Sequence, residues 1–259
     1  MTKLQFGLQL YSVRDHFQDK ADQLNCLKQL KAMGYNAVQP AGYGKDVTAA
    51  ELRAMLDEAG LFAPAIHIGY TRIRDEFDAV VDEMKTLGVT YLGVGMPKEY
   101  HSAEGVVAFA KEASELGKKL SEQGLHLMYH NHAYEFERLE ATGKNYLEML
   151  YENSDENLLF ELDLFWVQRG GGNPIDYLNR FKGRMVTAHI KDMDGTADSR
   201  NVIAAIGKGN LNFKAIIPAC DACDIQYVFI EQDNAPELGS IECVRDSLNY
   251  LVAEVSGRF

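Results

Sequence analysis

Cysteine is scarce in this sequence. Only Cys26, Cys220, Cys223 and Cys243 occur among 259 residues, too few and too scattered for a disulfide scaffold, which suits a reducing compartment. Cys220 and Cys223 make a C-x-x-C, but no second pair or correctly spaced histidines accompany it, so neither zinc nor redox chemistry is expected there. No run of about 18 uncharged apolar residues is present to cross a membrane. The N-terminal MTKLQFGLQLYSVRD enters a strand pattern without the apolar core of a signal peptide, so a cytoplasmic protein with no membrane partner is expected. Positive charge is in deficit, with 26 Lys and Arg against 38 Asp and Glu for a net charge of -12. That mean field repels a phosphate backbone, and nucleic acid is not an expected partner. Pro/Gly/Ser-rich linkers and blocks of like charge are also missing, so residues 1–259 read as a single domain.

What is present is a repeated grammar. LKAMGYNAVQP, LDEAGLFAPAIH, MKTLGVTYLGVG and LSEQGLHLMYHNH each run from an amphipathic helix through a glycine into a short apolar run. Gly34, Gly60, Gly88 and Gly124 are placed to end those helices in the left-handed conformation. Helix starts are marked by Thr48 with Glu51 as a capping box, by Ser102 as an N-cap and by Pro174 in a first turn. Strands are predicted near residues 4–11, 35–40, 61–68, 89–95, 125–131, 157–164, 184–190 and 226–231. They are mostly apolar rather than alternating, as parallel strands covered by helices should be. Eight such units in a chain close to the roughly 250 residues typical of the fold predict an α/β protein of the (β/α)₈ TIM-barrel type. The rival, a doubly wound sheet, would be expected to carry a glycine-rich phosphate fingerprint after its first strand, and none is there.

In a TIM barrel the chemistry gathers at the carboxyl ends of the strands. Strand one offers Gln9 and Tyr11 on one face, and strand three ends in His67. Strand five supplies His130 and His132, and strand six Glu161 and Asp163 with Trp166 just beyond. Strand seven ends in His189 and Lys191, strand eight in Glu231. Singly, each is more often a hydrogen-bonded structural residue than a ligand, but together they put an ionisable group at the end of four neighbouring strands. A divalent cation held by His130, Asp163, His189 and Glu231 would compensate the carboxylates. The mixed nitrogen and oxygen set suits Mn²⁺ first, with Zn²⁺, Co²⁺ or Mg²⁺ as alternatives. His16 and His101 read as loop residues, and His126 lies at the opposite end of strand five. Glu135 could steer an imidazole or be solvated. The turn GKGN, residues 207–210, has the look of an anion-binding loop or of a plain connection before a helix.

The ordered pieces GLQLYSVRD, YHNHAYEF, ELDLFWVQRGG, HIKDMD, GKGNLNF and VFIEQD resemble the sugar isomerase/epimerase family of the xylose-isomerase-like TIM-barrel superfamily. The resemblance implies one divalent metal bound by Glu, Asp, His and Glu from strands five to eight, with Asp163, His189 and Glu231 filling the last three places. The first place departs, because His130 of YHNH stands where an ExH-type glutamate is usual, with His132 keeping the following histidine. The implied chemistry is proton abstraction beside a metal-polarised carbonyl of a keto sugar or related polyol, with Glu231 as base and His130 or His132 as second proton carrier. The YHNH strand end also resembles an inosose-dehydratase-like branch, which implies elimination instead. Gln9, Tyr11, His67, Trp166 and Lys191 are the expected carbohydrate contacts. Gln39 stands where relatives often carry an acid and is expected to bind hydroxyls. Lys191 has a salt bridge to Asp192 or Asp194 as its alternative. A homodimer is a family-level expectation, with Phe259 after the last helix as a contact. Two lesser readings are an endonuclease IV-like repair enzyme, disfavoured by seven histidines and the net charge of -12, and a sugar-binding barrel without turnover.

Overall fold

A computed structural model of the protein describes residues 4–140, 142–196 and 202–256; Phe259 lies outside them. Eight parallel strands follow one another around a barrel: β1 (Gln5–Gln9), β2 (Ala37–Gln39), β3 (Ala65–His67), β4 (Tyr91–Val94), β5 (His126–His130), β6 (Leu158–Asp163), β7 (Met185–Ile190) and β8 (Tyr227–Ile230). β1 pairs with both β2 and β8. Between β2 and β3 the pairing reduces to isolated bridges, with Val38 N donating to Phe62 O at 2.9 Å and His67 N to Pro40 O at 2.8 Å. The barrel is nearly closed, and each strand falls inside its predicted window.

A helix follows every strand: α1 (Lys20–Met33), α2 (Ala49–Ala59), α3 (Phe77–Leu87), α4 (Ala103–Ser121), α5 (Tyr146–Asn153), α6 (Pro174–Phe181), α7 (Phe213–Ala222) and α8 (Ser240–Tyr250). The predicted caps form. Thr48 and Glu51 exchange both capping-box bonds, the Ser102 hydroxyl accepts from Gly105 N, and Pro174 opens α6. Gly34, Gly60, Gly88 and Gly124 all have positive φ, where a side chain would strain the backbone. No described helix is long and apolar enough to cross a membrane.

The outward faces of the strands, such as Leu127, Tyr129, Phe160, Leu162, Ala188 and Ile230, are sealed against the helices as the main core. Inside the barrel Ala37, Ala65, Met128 and Phe229 form a small apolar plug. Above that plug the barrel interior carries Gln39, Glu161, Thr187 and His189. Cys220 is buried in α7 and Cys223 caps it; all four cysteines are free.

Candidate active site

Side chains of a strand alternate, so the inward face of β6 carries Leu159, Glu161 and Asp163 at successive heights. Leu159 packs on the apolar plug, while Glu161 lies fully buried just above it. Its Oε1 accepts from Gln39 Nε2 at 2.8 Å and Thr187 Oγ1 at 2.6 Å. Its Oε2 lies 2.5 Å from His67 Nε2, 3.4 Å from His189 Nε2 and 3.7 Å from His130 Nδ1. Burial acts to raise this carboxyl's pKa, but the charges and hydrogen bonds of His189 and His67 hold it well below the usual range. Gln39 continues the network, taking a 2.7 Å bond from Gln9 Nε2 and lying 2.5 Å from His189 Nε2. The expected role of Gln39 as a hydroxyl contact is therefore corrected: it is fully buried and bridges internal groups.

This close fit depends on Gly93 of β4, where a Cβ would sit 2.4 Å from His67 Cδ2. Gly93→Ala is expected to push His67 off Glu161 and to cost about 1–3 kcal/mol by overpacking. Thermal unfolding together with the His67 imidazole resonances checks this, and an unshifted His67 would count against it.

The next layer up is the predicted cluster. One ligand atom each from His130, Asp163, His189 and Glu231 lies within 4.8 Å of the other three, and all four residues are buried. His67, His130, Glu161 and His189 satisfy the same limit one layer deeper. His189 Nδ1 is 2.9 Å from Glu231 Oε2. Burial lowers the His189 pKa, and Glu161 with Glu231 outweighs it, raising the value to about 10. His130 is held well below its ordinary value by burial and by the neighbouring His189 and His67. Asp163 is pushed up to about 6 by burial, with Lys191 pulling the other way. Glu231 would be raised by burial, but Lys191 and His189 carry it well below the carboxylate norm. His130 Nδ1 and Asp163 Oδ2 are buried without a hydrogen-bond partner, which is how ligand atoms aimed at a cation should look. The donor set fits a divalent ion.

Lys191 stands over this layer, almost completely buried. Its Nζ lies 2.9 Å from Glu231 Oε2, 3.2 Å from Asp163 Oδ2 and 3.0 Å from Asp233 Oδ2. Burial opposes its charge and the three carboxylates outweigh that, so its pKa is raised. The alternative for Lys191, a salt bridge to Asp192 or Asp194, thus gives way to a three-carboxylate cage. Asp192 instead turns its carboxylate into the GKGN turn, accepting from Gly207 N at 2.8 Å, Gly209 N at 2.9 Å and Leu211 N at 3.0 Å. That loop does bind an anion, one supplied by the chain itself.

Above the cluster opens a cleft of about 850 Å³ lined by Gln9, Tyr11, His67, Trp166 and Lys191, with His130, His132 and Glu231 at its floor. All five predicted carbohydrate contacts line it, while Asp163 and His189 lie deeper. Strand one ends at Gln9 and the chain turns into a short helix, Leu10–His16, so Tyr11 leaves the strand alternation and stands 42% exposed with Arg14 over its ring. His132 lies just past β5, exposed to the cleft, 4.9 Å from the His130 ring and 5.9 Å from Trp166. Desolvation by the cleft walls and the charge of Lys191 lower its pKa to about 4.

Glu135 neither steers an imidazole nor is solvated. It is fully buried, accepts from Tyr129 Oη at 2.7 Å and from the His132 backbone N at 2.9 Å, and so fixes the loop that presents His132. Burial raises its pKa to about 7 against a model-peptide 4.5, with the Tyr129 and backbone bonds opposing. The folded protein therefore holds this proton more tightly than the unfolded chain, and the stability it contributes is full below about pH 4.5 and lost as pH rises through 7. The stability difference between wild type and Glu135→Gln is expected to move against wild type by about 3 kcal/mol across that window. Denaturant titrations at several pH values measure it; a flat difference would refute the buried carboxyl.

The roles of Glu161 and Asp233 escaped the sequence reading. Asp233 follows Glu231 by two residues, the same-face spacing that had picked out Asp163 beyond Glu161.

The sequence model described as "Xylose isomerase-like TIM barrel" matches residues 27–253. Comparison with curated protein sequences returns no match. Among solved structures, a sugar phosphate isomerase/epimerase from Parabacteroides distasonis superposes with a TM-score of 0.83 at 23% identity, over 97% of this chain and 98% of that one. An IOLI protein described with a bound zinc atom gives 0.75 at 17% over 98% and 99%. A probable 3-DHS dehydratase, AsbF of Bacillus anthracis, gives 0.73 at 12% over 96% and 99%. These likenesses show the barrel itself, and with the sequence model spanning all but the first strand and the extreme C-terminus, the chain belongs to the xylose isomerase-like TIM barrel family.

Proposed function

We propose that the protein is a divalent-metal-dependent enzyme that removes a proton from the carbon beside the carbonyl of a keto sugar or related polyol, as an isomerase or epimerase. The observation that carries this reading is the convergence of His130, Asp163, His189 and Glu231 within 4.8 Å at and just beneath the floor of the cleft, with buried atoms that have no hydrogen bond on His130 and Asp163. Mn²⁺ is the ion the donor set suits first, Zn²⁺ the one described with the IOLI neighbour. When bound there, such an ion supplies Lewis-acid polarisation of the substrate carbonyl.

The chain's own residues do the rest. Glu231 stands ionised, held by Lys191 and His189, and takes the proton. His132, neutral at physiological pH, is the second proton carrier on the cleft side. Lys191 faces the developing oxyanion with its charge fixed by the carboxylates around it. Trp166 offers a ring face to the sugar. Elimination is the runner-up, favoured by the imidazole of His132 in place of a second carboxylate: having taken up a proton from solvent, the imidazolium can hand it to a departing hydroxyl. We place the enzyme in the cytoplasm, in keeping with four unpaired cysteines.

Incubating the metal-loaded protein with ketoses and 3-keto glycosides in deuterated water tests the reading. Deuterium at the carbon beside the carbonyl, in the epimerised ketose or its isomeric aldose, is the expected result. Loss of water identifies elimination, and absence of both exchange and turnover removes the whole class.

A further inference from the structure

The charges around the cleft are already committed. Among the described lining residues two carry a permanent positive charge, Arg72 and Lys191. Arg72 gives its Nη2 to both carboxylate oxygens of Glu83 at 2.8 Å, a carboxylate that Tyr43 Oη also binds at 2.6 Å. Lys191 is caged by Asp163, Glu231 and Asp233. The 207–210 loop spends its convergent Gly207 and Gly209 backbone N–H groups on the carboxylate of Asp192, and a Cβ on Gly209 would meet that carboxylate at 2.5 Å. His67 is bound to Glu161.

Three carboxylates facing one ammonium fall short of balance by two positive charges. A divalent ion on the ligand set balances these four groups, with no surplus to receive a phosphate dianion. Asp233 is decisive here, because it belongs to neither group of candidate metal ligands yet lies 3.0 Å from Lys191. Without it, Lys191 would still face Asp163 and Glu231, but those three groups with the divalent ion would carry one net positive charge at the cleft wall. The remaining lining is mostly apolar or aromatic, including Ile66, Ile68, Val94, Ile203 and Tyr11, with Gln9 a neutral amide. The volume of about 850 Å³ lies high in the roughly 300–1,000 Å³ range of pockets that engulf drug-sized ligands. Sugar ring faces stack on such walls.

We infer that the cleft selects an uncharged saccharide with a further group beyond the reacting ring, a neutral glycoside, over a sugar phosphate, and that Asp233 enforces the choice by holding Lys191. This rests on the function proposed above. Trp166 is the chain's one tryptophan and lines the cleft, so its fluorescence reports binding directly. The metal-loaded protein is titrated with the 3-keto derivative of a neutral disaccharide, with fructose, with fructose 6-phosphate and with inorganic phosphate, and exchange into deuterated water is followed in parallel. The glycoside is expected to bind at least about tenfold more tightly than fructose 6-phosphate, and inorganic phosphate to give no saturable change. In Asp233→Asn the ratio of those two affinities is expected to fall about tenfold, as one unit of compensating negative charge is lost beside Lys191. Phosphate ester binding as tight as glycoside, saturable binding of inorganic phosphate, or fructose bound more tightly than glycoside overturns the inference while leaving the proposed function standing. So does an Asp233→Asn protein that folds and keeps the wild-type ratio; the wild-type comparison itself needs no variant. If no saccharide of either kind perturbs Trp166 or exchanges, the proposed function falls, and this inference with it.

Discussion

Glu231→Gln is expected to lower the rate of substrate C–H exchange by about 10²–10⁴-fold, the span typical of losing a positioned general base. The amide keeps the shape and can still occupy the place beside His189 Nδ1, now 2.9 Å from a carboxylate oxygen, but it cannot accept the proton. It also removes one of the three carboxylates caging Lys191, and the remaining pair, Asp163 and Asp233, still holds the ammonium. The variant should therefore fold, bind metal less tightly and fail in proton transfer. Asp163→Asn is the control: it keeps the shape and gives up one of the three carboxylates around Lys191, as Glu231→Gln does, but leaves the base in place, so its cost should fall chiefly on metal stoichiometry. Elemental analysis, circular dichroism and deuterium exchange under saturating metal separate these effects. A metal-replete Glu231→Gln protein that exchanges within about threefold of wild type, where a base predicts at least a hundredfold loss, would exclude Glu231 as the base.

The barrel was legible because its signals are local. Parallel strands buried on both faces are written as apolar runs, and Gly34, Gly60, Gly88 and Gly124 mark the helix ends that precede four of them. The outer ligand layer was legible for a related reason: strand ends become neighbours once the fold is assumed, so His130, Asp163, His189 and Glu231 could be aligned without coordinates. The deeper layer was not. Glu161, Gln39, Gln9 and His67 come from four strands, and meeting at one height depends on the stagger of those strands, which no single strand encodes. Tyr11 was misplaced because a strand pattern does not say where pairing stops. Asp192 was missed as the partner of the 207–210 turn because a connection between chain segments must be folded before its donors and acceptor face each other.

That unread layer carries the largest expected loss of stability. Glu161→Ala is expected to lower the unfolding free energy by about 3–5 kcal/mol, the cost of removing one partner from a buried charged network, and the melting temperature by roughly 10 °C. The alanine strands four groups at once: Gln39 Nε2 and Thr187 Oγ1 lose their acceptor, and His67 and His189 lose the carboxylate between them. Nothing else described within the barrel can take its place, because the layer below is Met128, Phe229 and two alanines. Glu161→Gln keeps the volume and one acceptor oxygen, so its cost should be smaller, about 1–2 kcal/mol, and the difference between the two variants isolates shape from charge. The effect should also reach the candidate metal ligands. His189 borders Glu161 through Nε2 while its Nδ1 faces Glu231, and a carboxylate behind a ligating imidazole sets its tautomer and angle, so metal affinity should weaken about 10–100-fold. Unfolding curves with and without added metal read both quantities. A Glu161→Ala protein within about 1 kcal/mol of wild type, well short of the expected loss, and with undiminished metal affinity would mean that this buried carboxylate supports neither the barrel nor the site above it.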